Sequence, residues 1–148
     1  MLKAKDIMTK ELITVSPGTE ITHAAKLLIE KGINGIPVLD DEKLVGIICQ
    51  SDLIFQQKKI SIPSLFTLLD GFIPLKSDKH FEKEIKKIAA TTVDQVMTPN
   101  PVTIKPDTSI EDIASLMVDK NIHTLPVVDG EKLVGIVGKE DILKTLMP

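Results

Sequence analysis

The chain has 148 residues, 43% of them hydrophobic and 26% charged, which is enough for one well-buried core or two small cores that share an interface. Its formal net charge of −3 argues against nucleic-acid binding, which requires a basic footprint. No apolar run reaches the ~18 residues that span a bilayer, the start Met1-Leu2-Lys3-Ala4-Lys5-Asp6 lacks a signal peptide's apolar stretch, and the single cysteine, Cys49, has no disulfide partner within the chain, so a cytoplasmic protein is expected.

The dominant feature is an internal repeat. Residues 6–54 align with 95–143 at a constant offset of 89, without a gap, and 20 of the 49 positions are identical. Met8-Thr9 matches Met97-Thr98, and Thr14-Val15-Ser16-Pro17 matches Thr103-Ile104-Lys105-Pro106. The stretch from Pro37 to Ile48 matches that from Pro126 to Val137.

Each copy reads in the same order. A short strand (13–15, 102–104) runs into a turn that contains proline. A helix follows, with apolar residues at Ile21, Ala24, Ala25 and Leu28, and again at Ile110, Ile113, Ala114 and Met117, on one helical face. Thr108 with Glu111 reads as a capping box, and Thr19 holds the matching position. Gly32 and Asn121 share the helix-stop position, and both residue types tolerate the left-handed conformation there. Two strands joined by a tight turn come next (Asp40-Asp41-Glu42, Asp129-Gly130-Glu131). The second strand of each pair is apolar on both faces and is expected to be buried on both. A second helix begins near Asp52 and Asp141, so the unit is β-α-β-β-α.

The repeat does not explain residues 55–92. All four phenylalanines (Phe55, Phe66, Phe72, Phe81) lie there, and the chain has no Trp or Tyr. A short helix is expected over 65–70, and another over 79–90 with Phe81, Ile85, Ile88 and Ala89 on one face. The lysines and glutamates of that second helix read as a solvated face, with a partner-docking surface as the alternative.

Both copies carry a Met-Thr lead-in, an amphipathic helix, an apolar-Pro-Val-apolar-Asp strand, then Leu-Val-Gly-Ile-apolar and a later Asp. This signature resembles the CBS domain (the cystathionine-beta-synthase regulatory domain), which occurs as tandem pairs. The resemblance implies an α/β (α+β) fold of two β-α-β-β-α units packed about a pseudo-two-fold axis: unit one over 1–54, a helical insertion over 55–90, and unit two over 91–148. It also implies two clefts between the units that take adenosine-containing ligands (AMP, ADP, ATP or S-adenosylmethionine), and a homodimer of pairs.

An adenosine site needs an apolar slot, a carboxylate for the ribose hydroxyls, and donors or cations for phosphate. Asp52 and Asp141 resemble the family's ribose-binding Asp; as residues at a helix start they also read as caps. The family's Ser or Thr three positions earlier is Cys49 in one copy and Gly138 in the other. Ser51 offers a donor beside Asp52, whereas Glu140 beside Asp141 would repel an anion, so the Asp52 cleft is expected to be the better site. By resemblance, that cleft adds Ile47, Thr91, Asp94 and Val96, together with Ile122, His123 and Thr124. The other cleft adds Ile7, Ile33, Asn34, Gly35 and Ile136. His123 and Lys139 are candidates for phosphate, and Cys49 reads as a small buried strand residue.

The expected function is a regulatory sensor that binds an adenine nucleotide or S-adenosylmethionine and needs no cofactor. The alternative is a ligand-free dimerisation or docking module with an unidentified protein partner. The sequence contains no Ser-His-Asp or Cys-His arrangement, phosphate-binding glycine loop or metal-ligand spacing, so no enzyme and no catalytic or metal site is expected.

Overall fold

The computed structural model describes residues 1–59 and 91–147. The helices expected over 65–70 and 79–90 lie outside those residues. Unit one contains α1 (Ala4–Ile7), α2 (Ile21–Lys31), β1 (Gly35–Asp40), β2 (Lys43–Cys49) and α3 (Gln50–Lys59). Unit two repeats this order with α4 (Val93–Val96), β3 (Thr98–Pro99), α5 (Ile110–Asp119), β4 (Thr124–Asp129), β5 (Lys132–Gly138) and α6 (Lys139–Lys144). The antiparallel pairs β1–β2 and β4–β5 share one register, each broken by an irregularity at the same place, Val38/Leu39 and Val127/Val128.

The expected opening strands shrink to one residue each. Val15 and Ile104 bridge Val38 and Val127 in parallel, held by two backbone hydrogen bonds apiece (Val15 N–H to the Pro37 carbonyl and Leu39 N–H to the Val15 carbonyl, 3.1 and 2.9 Å in unit one). Pro17 and Pro106 turn the chain away two residues later, so pairing cannot extend.

The helix starts also differ from expectation. The cap of α5 is Ser109, whose hydroxyl accepts from Asp112 N–H at 3.2 Å. Thr108 and Thr19 instead accept from Lys105 and Ser16 N–H and close the proline turns. The stops match: Gly32 (φ 60°) and Asn121 (φ 53°) are both left-handed. In the β1–β2 turn, Asp41 and Glu42 carry φ of 50° and 69°, the backbone hand that a two-residue hairpin turn requires.

Each core is completed by the other repeat. The core of unit one gathers Ile21, Ala24, Leu28, Ile36, Val38, Ile48 and Leu53, and includes Val93 from the lead-in of repeat two, with Val96 and Met97 packed on it. The core of unit two gathers Ile104, Ile113, Leu125, Val127 and Val137, and includes Ala4, with Ile7 and Met8 packed on it. Matching hydrogen bonds fasten the exchanged lead-ins. Ala4 N–H donates to the Thr108 carbonyl and Val93 N–H to the Thr19 carbonyl, both at 2.8 Å. Thr9 and Ile136 form a bridge, and Thr98 pairs with Ile47.

The shared glycine of Leu-Val-Gly-Ile has a steric origin in this exchange. A Cβ at Gly46 would stand 2.4 Å from Met97 Sδ and 3.0 Å from the Thr98 carbonyl oxygen; at Gly135 it would meet Met8 Sδ at 2.4 Å. Gly46→Ala is expected to lower stability by about 1–3 kcal/mol, because both the Met97 side chain and the Thr98 carbonyl would have to retreat, the latter against the β2–β3 pairing. Urea titration should show a smaller penalty when Met97→Ala is already present; equal penalties in both backgrounds would contradict the contact.

Candidate functional site

Equivalent positions of the two repeats meet where the units join. A Cβ at Gly35 would lie 3.2 Å from Thr124 Oγ1 and 3.2 Å from Cys49 Sγ, and residue 124 is residue 35 displaced by the repeat offset. This is what a two-fold relation requires at its axis. On either side of the junction, β2 and β5 end in α3 and α6, and each helix carries its aspartate at the third position.

The two aspartates are held alike by one oxygen. Asp52 Oδ2 accepts from Cys49 N–H at 2.8 Å, and Asp141 Oδ2 accepts from Gly138 N–H at 2.7 Å. The reading of these residues as caps is therefore correct in kind, with each acid in the first turn and reaching back to the residue before the helix. Their second oxygens differ. Asp52 Oδ1 accepts from the Thr98 hydroxyl at 3.2 Å, a residue supplied by the exchanged lead-in. The other oxygen of Asp141 has no hydrogen-bond partner among the described residues.

Burial raises the Asp52 carboxyl above the usual carboxylate range, opposed by the bonds from Cys49 N–H and Thr98. Burial, and secondarily the Asp52 charge, pushes the Cys49 thiol up to about 11. The thiol thus stays protonated in the fold, and its stabilising contribution is complete below the unfolded value near ~8.5 and fades as pH rises toward about 11. Iodoacetamide at pH 7.5 is expected to label Cys49 at least roughly a hundredfold more slowly than in the urea-unfolded chain. Equal rates would show that the sulphur is neither buried nor near a carboxylate.

A cavity of about 240 Å³ opens at the Asp141 side. Gly32, Ile33, Asn34 and Gly35 of unit one form one wall, and Ile136 with Gly138–Asp141 of unit two the other; Thr9, Glu11 and Ile13 complete it. Three lysines (Lys31, Lys139, Lys144) face three acids (Glu11, Glu140, Asp141), so the lining is balanced in charge rather than repulsive to anions as Glu140 alone suggested. The cavity thus combines an aliphatic wall, the Asp141 carboxylate and several ammonium-bearing residues in its lining.

Of the residues expected on this side, Ile33, Asn34, Gly35, Ile136 and Asp141 are brought together. Thr124, expected on the Asp52 side, lines this cavity too. Ile7 does not; it packs into the core of unit two, because the helical turn α1 directs it there. On the Asp52 side, Ile47 is buried beside Thr98 in the β2–β3 pairing, and Ser51 is exposed. Val96 belongs to the core of unit one and Ile122 to that of unit two. Thr91 receives Ile21 N–H on its carbonyl at 3.0 Å. Asp94 bonds the Thr92 hydroxyl through its side chain and the Pro17 carbonyl through its N–H. His123 is exposed, and its carbonyl accepts from Lys139 N–H at 3.0 Å. The sequence reading did not include Thr9, which lines the cavity, or Thr98, which bonds Asp52, although both belong to the shared Met-Thr pair; nothing in the sequence singled out Lys31 or Lys144.

The model of the CBS domain matches residues 4–59 and again 93–148. The chain belongs to the CBS-domain family, as a tandem pair. Protein MJ1426 of Methanocaldococcus jannaschii is 37% identical to this CBS pair over 97% of the chain and 90% of its own length. The chloroplastic CBS domain-containing protein CBSX2 of Arabidopsis thaliana is 32% identical over 96% of the chain, which spans 62% of that protein's length. The crystal structure of CBSX2 in complex with AMP aligns with a TM-score of 0.74 at 29% identity, covering 99% of this chain and 97% of that one. The CBS domain pair of MJ0100, in complex with 5′-methylthioadenosine and S-adenosyl-L-methionine, aligns at 0.71 and 30% identity, covering 99% and 96%. Among the described residues no helix is long and apolar enough to cross a membrane, and no group of three or more His, Cys, Asp or Glu side chains is placed to hold a metal ion.

Proposed function

We propose that this CBS pair is a regulatory sensor, acting in the cytoplasm, whose ligand is an adenosine-containing small molecule bound at the Asp141 cleft. The observation that carries the reading is the cavity built from both units and lined by Asp141, one oxygen of which has no hydrogen-bond partner among the described residues. Ile33 and Ile136 suit the base, Asp141 the ribose hydroxyls, and Lys31, Lys139 or Lys144 a phosphate. The order of the clefts is the reverse of that expected from Ser51 and Glu140. The adenosyl ligands of CBSX2 and the MJ0100 pair support the ligand class. Binding energy that depends on both walls would favour one arrangement of the units, which is how a sensor reports occupancy. Calorimetric titration with AMP, ADP, ATP and S-adenosylmethionine should show saturable binding of at least one; no heat from any at millimolar concentration would overturn the reading.

The second reading, an association module, is favoured by exposed apolar residues at repeat-equivalent positions. Ile29 and Val118 are 48% and 79% exposed, and Ile54 and Leu143 are 58% and 57% exposed. Such apolar faces, one on each unit, suit a two-fold contact with the same faces of a second copy of the chain. The double variant Val118→Lys/Leu143→Lys is expected to halve the mass seen by light scattering. A native protein that is already monomeric, or a variant of unchanged mass, would contradict a dimer through this face.

A further inference from the structure

The two clefts have the same backbone and nearly the same lead-ins, yet their carboxylates are not in the same state. We infer that Thr98 sets the order in which the clefts take ligand: its hydroxyl occupies the Asp52 oxygen that a ribose would use, so the Asp141 cleft fills first. This inference deepens the sensing reading and rests on it.

Three observations carry it. Thr98 donates to Asp52 Oδ1 at 3.2 Å while Cys49 N–H holds Oδ2 at 2.8 Å, so both oxygens of that carboxylate are engaged. Thr9, the repeat equivalent of Thr98, lines the cavity without bonding Asp141, one oxygen of which has no partner among the described residues. The residue before each helix also differs: Cys49 in unit one is matched in unit two by Gly138, which has no side chain and borders the cavity. A ligand at Asp52 competes with the Thr98 hydroxyl for Oδ1, whereas at Asp141 it adds a bond to an oxygen with no partner among the described residues. Losing the net worth of one hydrogen bond weakens binding by about fivefold.

The test uses Thr98→Val, which keeps the shape and strand preference of threonine without its hydroxyl, and Thr98→Ser, which keeps the hydroxyl. Carbon-detected NMR of Asp52 gives a readout that needs no ligand: Thr98→Val should move its titration to higher pH, and Thr98→Ser should leave it near that of the native protein. In calorimetric titrations with AMP, and separately with S-adenosylmethionine, Thr98→Val should tighten the second binding step about fivefold and leave the first unchanged. An Asp52 titration unmoved by Thr98→Val, two steps unchanged by it, or a first step abolished by Asp52→Asn in the native background would each overturn the role of Thr98 alone. Absence of binding in every protein with both compounds would overturn the sensing reading and this inference together.

Discussion

Val93→Asp is expected to unfold the first unit, although residue 93 belongs by sequence to the second repeat. Val93 is fully buried in the core that holds Ile36, Val38 and Ile48. An unpartnered carboxylate there costs roughly 3–5 kcal/mol, a large part of the ~5–15 kcal/mol by which a domain is stable. Amide hydrogen exchange should show protection falling first along β1 and β2 while β4 and β5 retain theirs. The converse variant, Ala4→Asp, should release β4 and β5 first, since Ala4 is buried with Leu125, Val127 and Val137. Where Val93→Asp is too damaging to purify, Val93→Ala gives the same ordering at lower cost. Loss of protection in β4 and β5 upon either change at Val93 would contradict the exchange.

Asp141→Asn should weaken adenosyl-ligand binding by about 10- to 100-fold, the value of a hydrogen bond to a charged acceptor. The fold should be almost unaffected, since an amide oxygen can still accept from Gly138 N–H as the carboxylate does. Asp52→Asn should have a smaller effect on the first equivalent bound, because Asp52 already has Thr98 and Cys49 as donors. Calorimetry on the three proteins separates the cases; a larger loss from Asp52→Asn would restore the order read from Ser51 and Glu140.

Much of the fold was legible because the duplication made each element appear twice. The helix faces at Ile21, Ala24, Ala25 and Leu28, the left-handed stops at Gly32 and Asn121, and the paired hairpins follow from local periodicity and turn chemistry. The exchange of lead-ins was implied only by the family resemblance, which set Thr91, Asp94 and Val96 beside Asp52 and Ile7 beside Asp141, since nothing local distinguishes a Val93 that packs on its own repeat from one that packs on the other. The glycines at 46 and 135 acquire their reason only in the structure, by the space they leave for Met97 and Met8. The candidate site was half legible. Asp52 and Asp141 stood out at matching helix starts and the loop at Ile33-Asn34-Gly35 was implied by the family resemblance, but whether an aspartate has a second oxygen without a partner depends on a threonine 46 residues away, and no spacing rule reports that. Lys31, which faces Glu140 in the cavity lining, comes from the opposite unit, so a charge count along one repeat does not include it.

Sensing here depends on a pocket made jointly by the two repeats, and backbone NMR during an AMP titration checks that pocket. Amides of Gly32–Gly35 and of Gly138–Asp141 should shift together in one saturable step, although they lie in different repeats. Shifts confined to a single unit, or an AMP titration that leaves both segments still while another part of the chain responds, would contradict it.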